Sequence, residues 1–216
     1  MIIDESRKSC VFLNPKTGTN TLSEIFKDAG FDHTHEHPNY EKLENYLGYT
    51  LHCFCRDPVD RFLSCLNYEY QTRQTLVSYL VSNRLGLKIP YISSNKFIEK
   101  HMDKVYKISP AAILDDHENI QAYFEDQMSF ISKIIFMKQE YWLAPESMNI
   151  YKYEDFDNNV NLLCGKFDFV PDEIPVLNPT TRIYTRESLD PGEVDVIKKY
   201  FKSDYDLLES RGIIYD

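Results

Sequence analysis

The chain has 216 residues, and its 24 basic and 34 acidic side chains give a formal net charge of −10. Its 43% apolar and 14% aromatic residues exclude global disorder, and 7 Gly and 10 Pro exclude collagen-like and low-complexity classes. The acidic balance argues against general nucleic-acid binding, which needs a basic face, but allows a local basic pocket for one small anion.

The first predicted elements are a strand, a loop and a helix. The apolar run at residues 10–13 predicts a buried strand. The Pro and Gly of residues 14–19 predict a loop. Residues 20–30 have the apolar spacing of an amphipathic helix, which ends at Gly30.

The loop between this strand and helix has the composition of an anion-binding turn. The first N–H groups of a helix lack partners within it, and the helix dipole places about half a positive charge there. Lys16 adds a full charge, and it is followed by small residues and further donors: Thr17, Gly18, Thr19, Asn20 and Thr21. The loop is not a Walker A loop, because Lys16 precedes the lone glycine. The alternative is an ordinary turn with an exposed lysine.

A second strand is expected at residues 31–37, followed by a short helix at 40–47. Three histidines alternate with other residues in this stretch: His33, His35 and His37. On a strand, the three rings would face one side. They could supply a general base, since an unperturbed imidazole pKa of about 6.5 suits proton removal at neutral pH. Zinc binding and plain polar surface are the alternatives.

Residues 50–55 predict the next strand, and residues 59–73 predict the helix that follows it. Arg56 stands at the carboxyl end of this strand, where open α/β sheets bind ligands. Its guanidinium can grip a phosphate through two parallel bonds, and the hydroxyl of Ser64 can add a third. The alternative is a capped helix in which Arg56 pairs with an acidic residue.

The remainder of the chain continues the alternation of helices and strands. We expect mostly helices over residues 75–132, strands at 133–137 and 148–153, helices at 154–164 and 188–209, and a loop at 170–186. Strands that alternate with helices predict an α/β protein whose parallel sheet is covered on both faces. No linker interrupts the chain, so we expect a single domain over residues 1–216.

The cysteines and the lack of an apolar segment of membrane-spanning length indicate where in the cell the protein is expected. The five cysteines are odd in number, and several stand in apolar runs, so we expect free thiols in a reducing compartment. Cys53 and Cys55 are spaced for one face of a strand rather than as a Cys-x-x-Cys pair. With neither a signal-peptide pattern nor an apolar run of membrane-spanning length, we expect a cytoplasmic protein.

Two motifs are informative when they are considered together: residues 15–21, Pro-Lys-Thr-Gly-Thr-Asn-Thr, and residues 56–64, Arg-Asp-Pro-Val-Asp-Arg-Phe-Leu-Ser. They resemble the motifs of sulfotransferases that use 3′-phosphoadenosine 5′-phosphosulfate, most closely the carbohydrate-type branch. The resemblance implies that Lys16 and the backbone of residues 17–21 bind the 5′-phosphosulfate. It also implies that Arg56 and Ser64 bind the 3′-phosphate.

Weaker likeness extends to three further stretches: residues 149–156, 177–182 and 201–208. Arg182 would belong to the late loop that closes over the nucleotide in this family. The family deprotonates the acceptor hydroxyl with a His or Glu, which implies His37 as the base, then His35, with Glu36 as the fallback. The chain departs from the usual pattern at Thr19, where the family has Gly or Ser. Three other histidines are expected to be structural or at the surface: His52, His101 and His117.

The resemblance implies a P-loop-like sheet and in-line transfer of a sulfuryl group from the donor to an acceptor hydroxyl. Lys16 and the helix amides would stabilise the developing charge, without a metal ion. Residues 75–130 would form a helical insertion on the acceptor side, and the acceptor would be a small molecule or a glycan. A nucleotide-dependent phosphotransferase and a non-catalytic nucleotide-binding module are the alternatives. Neither nucleic acid nor a membrane is an expected partner.

Overall fold

The computed structural model describes residues 1–32, 46, 48–72, 74–86, 103–127, 134–177 and 182–215. The chain forms two compact units, each assembled from segments that are distant in sequence. The first unit comprises Met1–Pro58, Lys138–Pro179 and Ser203–Asp216, and the second comprises Val59–Met137 and Thr180–Lys202. That residues 1–216 act as a single domain stays a prediction.

The first unit contains a four-stranded, mostly parallel sheet in the order β1-β2-β3-β4. Strand β1 (Ile2–Asp4) pairs antiparallel with β2 (Ser9–Phe12). The pairs of β2 with β3 (Thr50–Cys55) and of β3 with β4 (Met148–Lys152) are parallel. All of β2 and all but the first residue of β3 are buried, as central strands of a parallel sheet should be. The α/β class is therefore confirmed, whereas β1 was not predicted.

The helices of the described residues follow in chain order. They are α1 (Thr19–Asp28), α2 (Pro58–Thr72), α3 (Gln74–Tyr79), α4 (Pro110–Asp115), α5 (His117–Gln127), α6 (Glu140–Leu143), α7 (Phe156–Lys166), α8 (Pro191–Tyr200) and α9 (Lys202–Ser210). Shorter turns are the π-helical Leu80–Arg84 and the 3-10 turns Tyr153–Asp155 and Arg186–Ser188. Among these helices, none is both long and apolar enough to cross a bilayer.

Helices α1 and α7 pack on the sheet of the first unit because each has an apolar stripe. Leu22 and Phe26 of α1 and Leu163 of α7 are buried in one cluster with Val11 and Phe54 of the central strands. The loop of residues 13–18 leads from the end of β2 to the amino-terminal end of α1. The strand, loop and helix predicted for residues 10–30 are thus present.

The second unit is helical in its described part. Its core joins apolar residues of α2, α3, α4, α5 and α8 to the short segment 134–136. Helix α8 begins at a capping box, in which Asp190 accepts from the N–H of Glu193 and the Glu193 carboxylate accepts from the N–H of Asp190. Helices α3, α4 and α5 agree with a helical middle, but residues 87–102 and 128–133 lie outside the described residues. The helical insertion as a whole stays a prediction.

The strand predicted at residues 133–137 is wrong over its described part. Ile134 has helical backbone geometry, and residues 135–136 form a turn that is buried in the second unit. The guanidinium of Arg61 donates to the carbonyls of Met137 at 2.8 Å and Ile134 at 3.4 Å. A short apolar run fits a buried strand and a buried helix end equally well, and its periodicity cannot separate them.

Two other expectations are changed or left open. The helix expected at residues 188–209 begins at Pro191 and is divided at Phe201, which is buried, into α8 and α9. Phe31 and Asp32 are irregular, and the remainder of the predicted strand at 31–37 lies outside the described residues. So does all but Tyr46 of the helix predicted at 40–47.

The five cysteines, all of which the structure describes, form no disulfide with one another, as predicted. All five are buried: Cys10, Cys53, Cys55, Cys65 and Cys164. Burial raises the pKa of Cys10, Cys55 and Cys164 to about 12 in each case. These thiols therefore stay protonated at neutral pH and pack as small apolar side chains.

His52 has a structural position inside the first unit, as expected. Its ring is 2% exposed and stacks on Tyr151, and its Nδ1 lies 3.0 Å from the Tyr151 hydroxyl. Burial lowers the pKa of His52 from 6.5 to about 4, with a smaller contribution from the charge of Lys166. The native protein therefore holds this imidazole neutral well below neutral pH.

This low pKa predicts a contribution of His52 to acid sensitivity. The unfolded chain protonates this residue near pH 6.5 and the native protein only near pH 4, so unfolding takes up a proton between these values. Stability should fall through this window by up to about 1.4 kcal/mol per pH unit. We expect His52→Phe, which keeps a buried ring, to gain stability relative to the parent as pH falls from 6.5 to 4 in urea titrations. A pH-independent difference would contradict this.

Candidate anion-binding site

The loop between β2 and α1 turns at two left-handed residues. Lys16 has φ 68° and Gly18 has φ 80°. Thr17 between them is buried, and its hydroxyl donates to the carbonyl of Asn14 at 2.6 Å. Turns of this kind direct backbone N–H groups into anion-binding concavities. The loop is therefore a tight turn closed by the Thr17 side chain.

The amino-terminal end of α1 has the electrostatic character of an anion site. Its N-cap is Gly18, which has no side chain to accept from the first-turn N–H groups, and this described first turn contains no acidic residue. The helical ladder starts with the Leu22 N–H donating to the Gly18 carbonyl at 3.0 Å. The partial positive charge of the helix end is therefore not balanced by a carboxylate from the first turn itself.

Gly18 is required for a steric reason as well as for its backbone conformation. A Cβ at this position would overlap Cε2 of Phe156 and lie 2.5 Å from Cζ of the same ring. Phe156 is the first residue of α7, directly after the turn that follows β4. The ring of Phe156 therefore packs against the loop at Gly18, a contact that the sequence does not predict.

We expect Gly18→Ala to destabilise the protein more than Gly30→Ala. Both glycines are left-handed, with φ 80° and 84°, but a Cβ at Gly30 would meet no atom within 4 Å. The conformation costs roughly 1–2 kcal/mol at either position. The overlap with Phe156 adds about 1–3 kcal/mol at position 18 alone. Denaturant unfolding of the two variants measures the difference, and equal losses would remove the role given to Phe156.

Arg56 lies at the carboxyl end of β3, beside the loop. Its guanidinium stacks over the ring of Tyr153, 4.7 Å from the centroid, and its Nη1 donates to the carbonyl of Lys16 at 3.4 Å. The residue is half-buried, and no carboxylate among the described residues lies within ion-pair distance of it. Within the described part of the chain, Arg56 therefore does not form the ion pair with an acidic residue that the alternative required.

A buried amide, Gln139, joins the loop to Arg56. Its Oε1 accepts from Nδ2 of Asn14 at 2.9 Å and from the backbone N–H of Arg56 at 3.0 Å. Its Nε2 donates to the carbonyl of Arg56 at 2.7 Å. Asn14 also donates to the carbonyl of Phe54 at 3.0 Å, which ties the ends of β2 and β3 together. Sequence reasoning missed Gln139, because a single glutamine carries no pattern of its own.

The chain directly after Arg56 is held by a second set of polar contacts. The N–H of Asp57 donates to the carboxylate of Glu154 at 2.9 Å, and the hydroxyl of Tyr215 donates to the same carboxylate at 2.8 Å. Burial raises the pKa of Tyr215 far above that of an ordinary phenol, with the neighbouring Cys55 and Glu154 adding to the effect. Tyr215 therefore stays a hydrogen-bond donor and holds the Glu154 carboxylate beside the backbone N–H of Asp57.

The other residues of the first motif are also placed. Thr19 is half-buried and Asn20 is exposed at the start of α1. The hydroxyl of Thr21 donates to the carbonyl of Pro175 at 3.0 Å. This contact joins Pro175, in the loop predicted at residues 170–186, to the first turn of α1.

Several residues predicted for this site belong to the second unit or lie outside the described residues. Ser64 is half-buried in α2, and Arg182 is exposed; both belong to the second unit. The base candidates lie outside the described residues, namely His35, Glu36 and His37, as do His33 and His101. Elsewhere in the described residues, no group of three His, Cys, Asp or Glu side chains is placed to hold a metal ion. The roles given to Ser64, Arg182 and the base stay predictions.

The first unit thus brings a helix amino-terminus, the Lys16 turn and the Arg56 guanidinium to one edge of the sheet. Helix amides bind phosphate or sulfate oxygens, and a guanidinium binds a second anionic group through paired hydrogen bonds. Comparisons of the chain with protein-family models, curated proteins and solved structures give no significant match. Its function is therefore inferred from its motifs and this geometry.

Proposed function

We propose that the chain is a sulfotransferase that moves a sulfuryl group from 3′-phosphoadenosine 5′-phosphosulfate to an acceptor hydroxyl. The observation that carries the proposal is the position of Arg56. Its half-buried guanidinium has no carboxylate partner among the described residues and contacts the carbonyl of Lys16. A donor with phosphate groups at the 3′ and 5′ positions of its ribose supplies one anion for Arg56 and one for the Lys16 turn.

The reaction assigned to this site is an in-line displacement at sulfur. The acceptor oxygen forms a bond to sulfur, the bond from sulfur to the 5′-phosphate oxygen breaks, and 3′,5′-adenosine bisphosphate leaves. Lys16 and the amides of residues 17–21 stabilise the charge that develops on the bridging oxygen. The acceptor proton goes to His37, with His35 and Glu36 as the next candidates. A P-loop-like nucleotide site is part of this proposal.

Arg56 reads the 3′-phosphate in this scheme. Its cation–π contact with Tyr153 restricts the movement of the guanidinium, and a restricted guanidinium favours two parallel bonds to phosphate oxygens. Ser64 and Arg182 are predicted by the resemblance to serve the same nucleotide. The acceptor is proposed to be a small molecule or a glycan, bound on the side of residues 75–130.

A thermal-shift series separates this proposal from the two alternatives. The proposal predicts that 3′,5′-adenosine bisphosphate raises the melting temperature without magnesium, because bound ligand stabilises the native state by mass action. Stabilisation by ATP with magnesium alone would instead indicate a phosphotransferase. Donor binding without transfer of label to any member of a panel of glycans, lipids and small alcohols would indicate a non-catalytic module.

A further inference from the structure

Gln139 stands out among the buried polar residues because it contacts both candidate anion-binding elements. Its side chain is fully buried, at 0% exposure. Asn14, which leads into the Lys16 turn, donates to it, and both backbone polar groups of Arg56 bond to it. A single carboxamide thus connects the end of β2 to the residue after β3.

These bonds restrict how Arg56 can move. The two lone pairs of Oε1 are used by Asn14 and by the Arg56 N–H, and Nε2 donates to the Arg56 carbonyl. Rotation of the Arg56 backbone would break two bonds and leave buried polar groups unpaired, which is costly. The Arg56 backbone is therefore held in place, and its guanidinium lies beside the Lys16 carbonyl.

We propose that Gln139 is a positioning residue that holds Arg56 in register with the Lys16 turn. It acts through Arg56 and Asn14 rather than on the ligand itself. Its effect is to let one nucleotide engage both elements, so that the 3′-phosphate adds its full contribution to binding. This inference rests on the proposed function, since it assigns the 5′-end of the donor to the turn and the 3′-phosphate to Arg56.

Calorimetric titration of Gln139→Met with 3′,5′-adenosine bisphosphate and 5′-AMP tests this role. Met has a similar length but cannot make the three hydrogen bonds. We expect the preference of the protein for the bisphosphate over 5′-AMP to fall by about tenfold or more, the loss of a charge-assisted contact. Asn149→Met is the matched control. It removes one amide-to-carbonyl bond, from the exposed residue Asn149 to Leu51 at 3.0 Å, at the opposite end of β3, and it should keep the parent preference.

Gln139→Glu provides a readout that a merely structural role would not change. The introduced carboxylate still accepts from Asn14 and from the Arg56 N–H, but it has no proton for the Arg56 carbonyl. Protonation at low pH restores that donor. We therefore expect the bisphosphate preference to be reduced at neutral pH and to recover, relative to the parent protein at the same pH, as the pH is lowered.

The outcomes separate this inference from the proposed function. A parent protein that prefers the bisphosphate, together with Gln139→Met and Gln139→Glu variants that retain this preference, would overturn the positioning role alone. A loss in Gln139→Glu that does not recover at low pH would also overturn it. A parent protein that does not distinguish the bisphosphate from 5′-AMP would overturn the proposed function, and the positioning role with it.

Discussion

Replacement of Lys16 by Ala is expected to lower turnover by about 10²-fold or more while the protein stays folded. The ammonium group is assigned to the charge that develops on the sulfuryl and bridging oxygens, so its loss weakens the transition state more than the ground state. The backbone contact from Arg56 ends on the Lys16 carbonyl, which the substitution retains. Lys16 is only half-buried, so little of the core is lost.

Lys8→Ala is the matched control for this variant. Lys8 is also a left-handed lysine of the first unit, with φ 50°, but it pairs with Glu5 at 2.9 Å away from the loop. Transfer of labelled sulfuryl with donor and acceptor saturating should be lost in Lys16→Ala and retained in Lys8→Ala. Near-normal turnover in a folded Lys16→Ala protein would contradict the role given to this lysine.

Arg56→Ala is expected to weaken binding of 3′,5′-adenosine bisphosphate by about 1.5–3 kcal/mol, the value of a hydrogen bond to a charged group. Binding of 5′-AMP should hardly change, because that ligand lacks the 3′-phosphate that Arg56 is proposed to bind. Arg56→Lys should recover only part of the affinity, since an ammonium cannot make two parallel bonds or stack on Tyr153 in the same way. The same reasoning gives Ser64→Ala a loss of about 1 kcal/mol.

Calorimetry of both nucleotides with each variant measures this selectivity. Arg7→Ala is a suitable control, because it removes an arginine of the same unit whose guanidinium is engaged by Asp4 at 2.7 Å and Asp168 at 2.9 Å. If Arg56→Ala kept the parent preference for the bisphosphate, the 3′-phosphate would be bound elsewhere.

Much of the first unit could be predicted because its signals are local. The buried runs that became β2 and β3, the Pro and Gly of the loop, and the spacing of α1 are each contained within a few residues. Placing Lys16 and Arg56 at one edge followed from parallel strands that end at the same side of a sheet. The segment at 134–137 shows where prediction fails, because a buried apolar run this short does not distinguish a strand from the end of a helix.

The missed residues depend on contacts between distant parts of the chain. Gln139 reaches Asn14 across 125 positions, and Phe156 fills the space beside Gly18 from another element. A sequence indicates that a glycine stands in a turn, but not which ring lies against it. These contacts join segments that are far apart in the sequence, so the sequence motifs mark the groups proposed to face the ligand and not the residues that support them.

Calorimetric titration of the parent protein with 3′,5′-adenosine bisphosphate and with 5′-AMP, both in magnesium-free buffer, tests the central claim most directly. The account predicts that the bisphosphate binds about tenfold or more tightly than 5′-AMP, because Arg56 adds a charge-assisted contact to the 3′-phosphate. Equal affinity for the two nucleotides, or binding that requires ATP and magnesium, would contradict it.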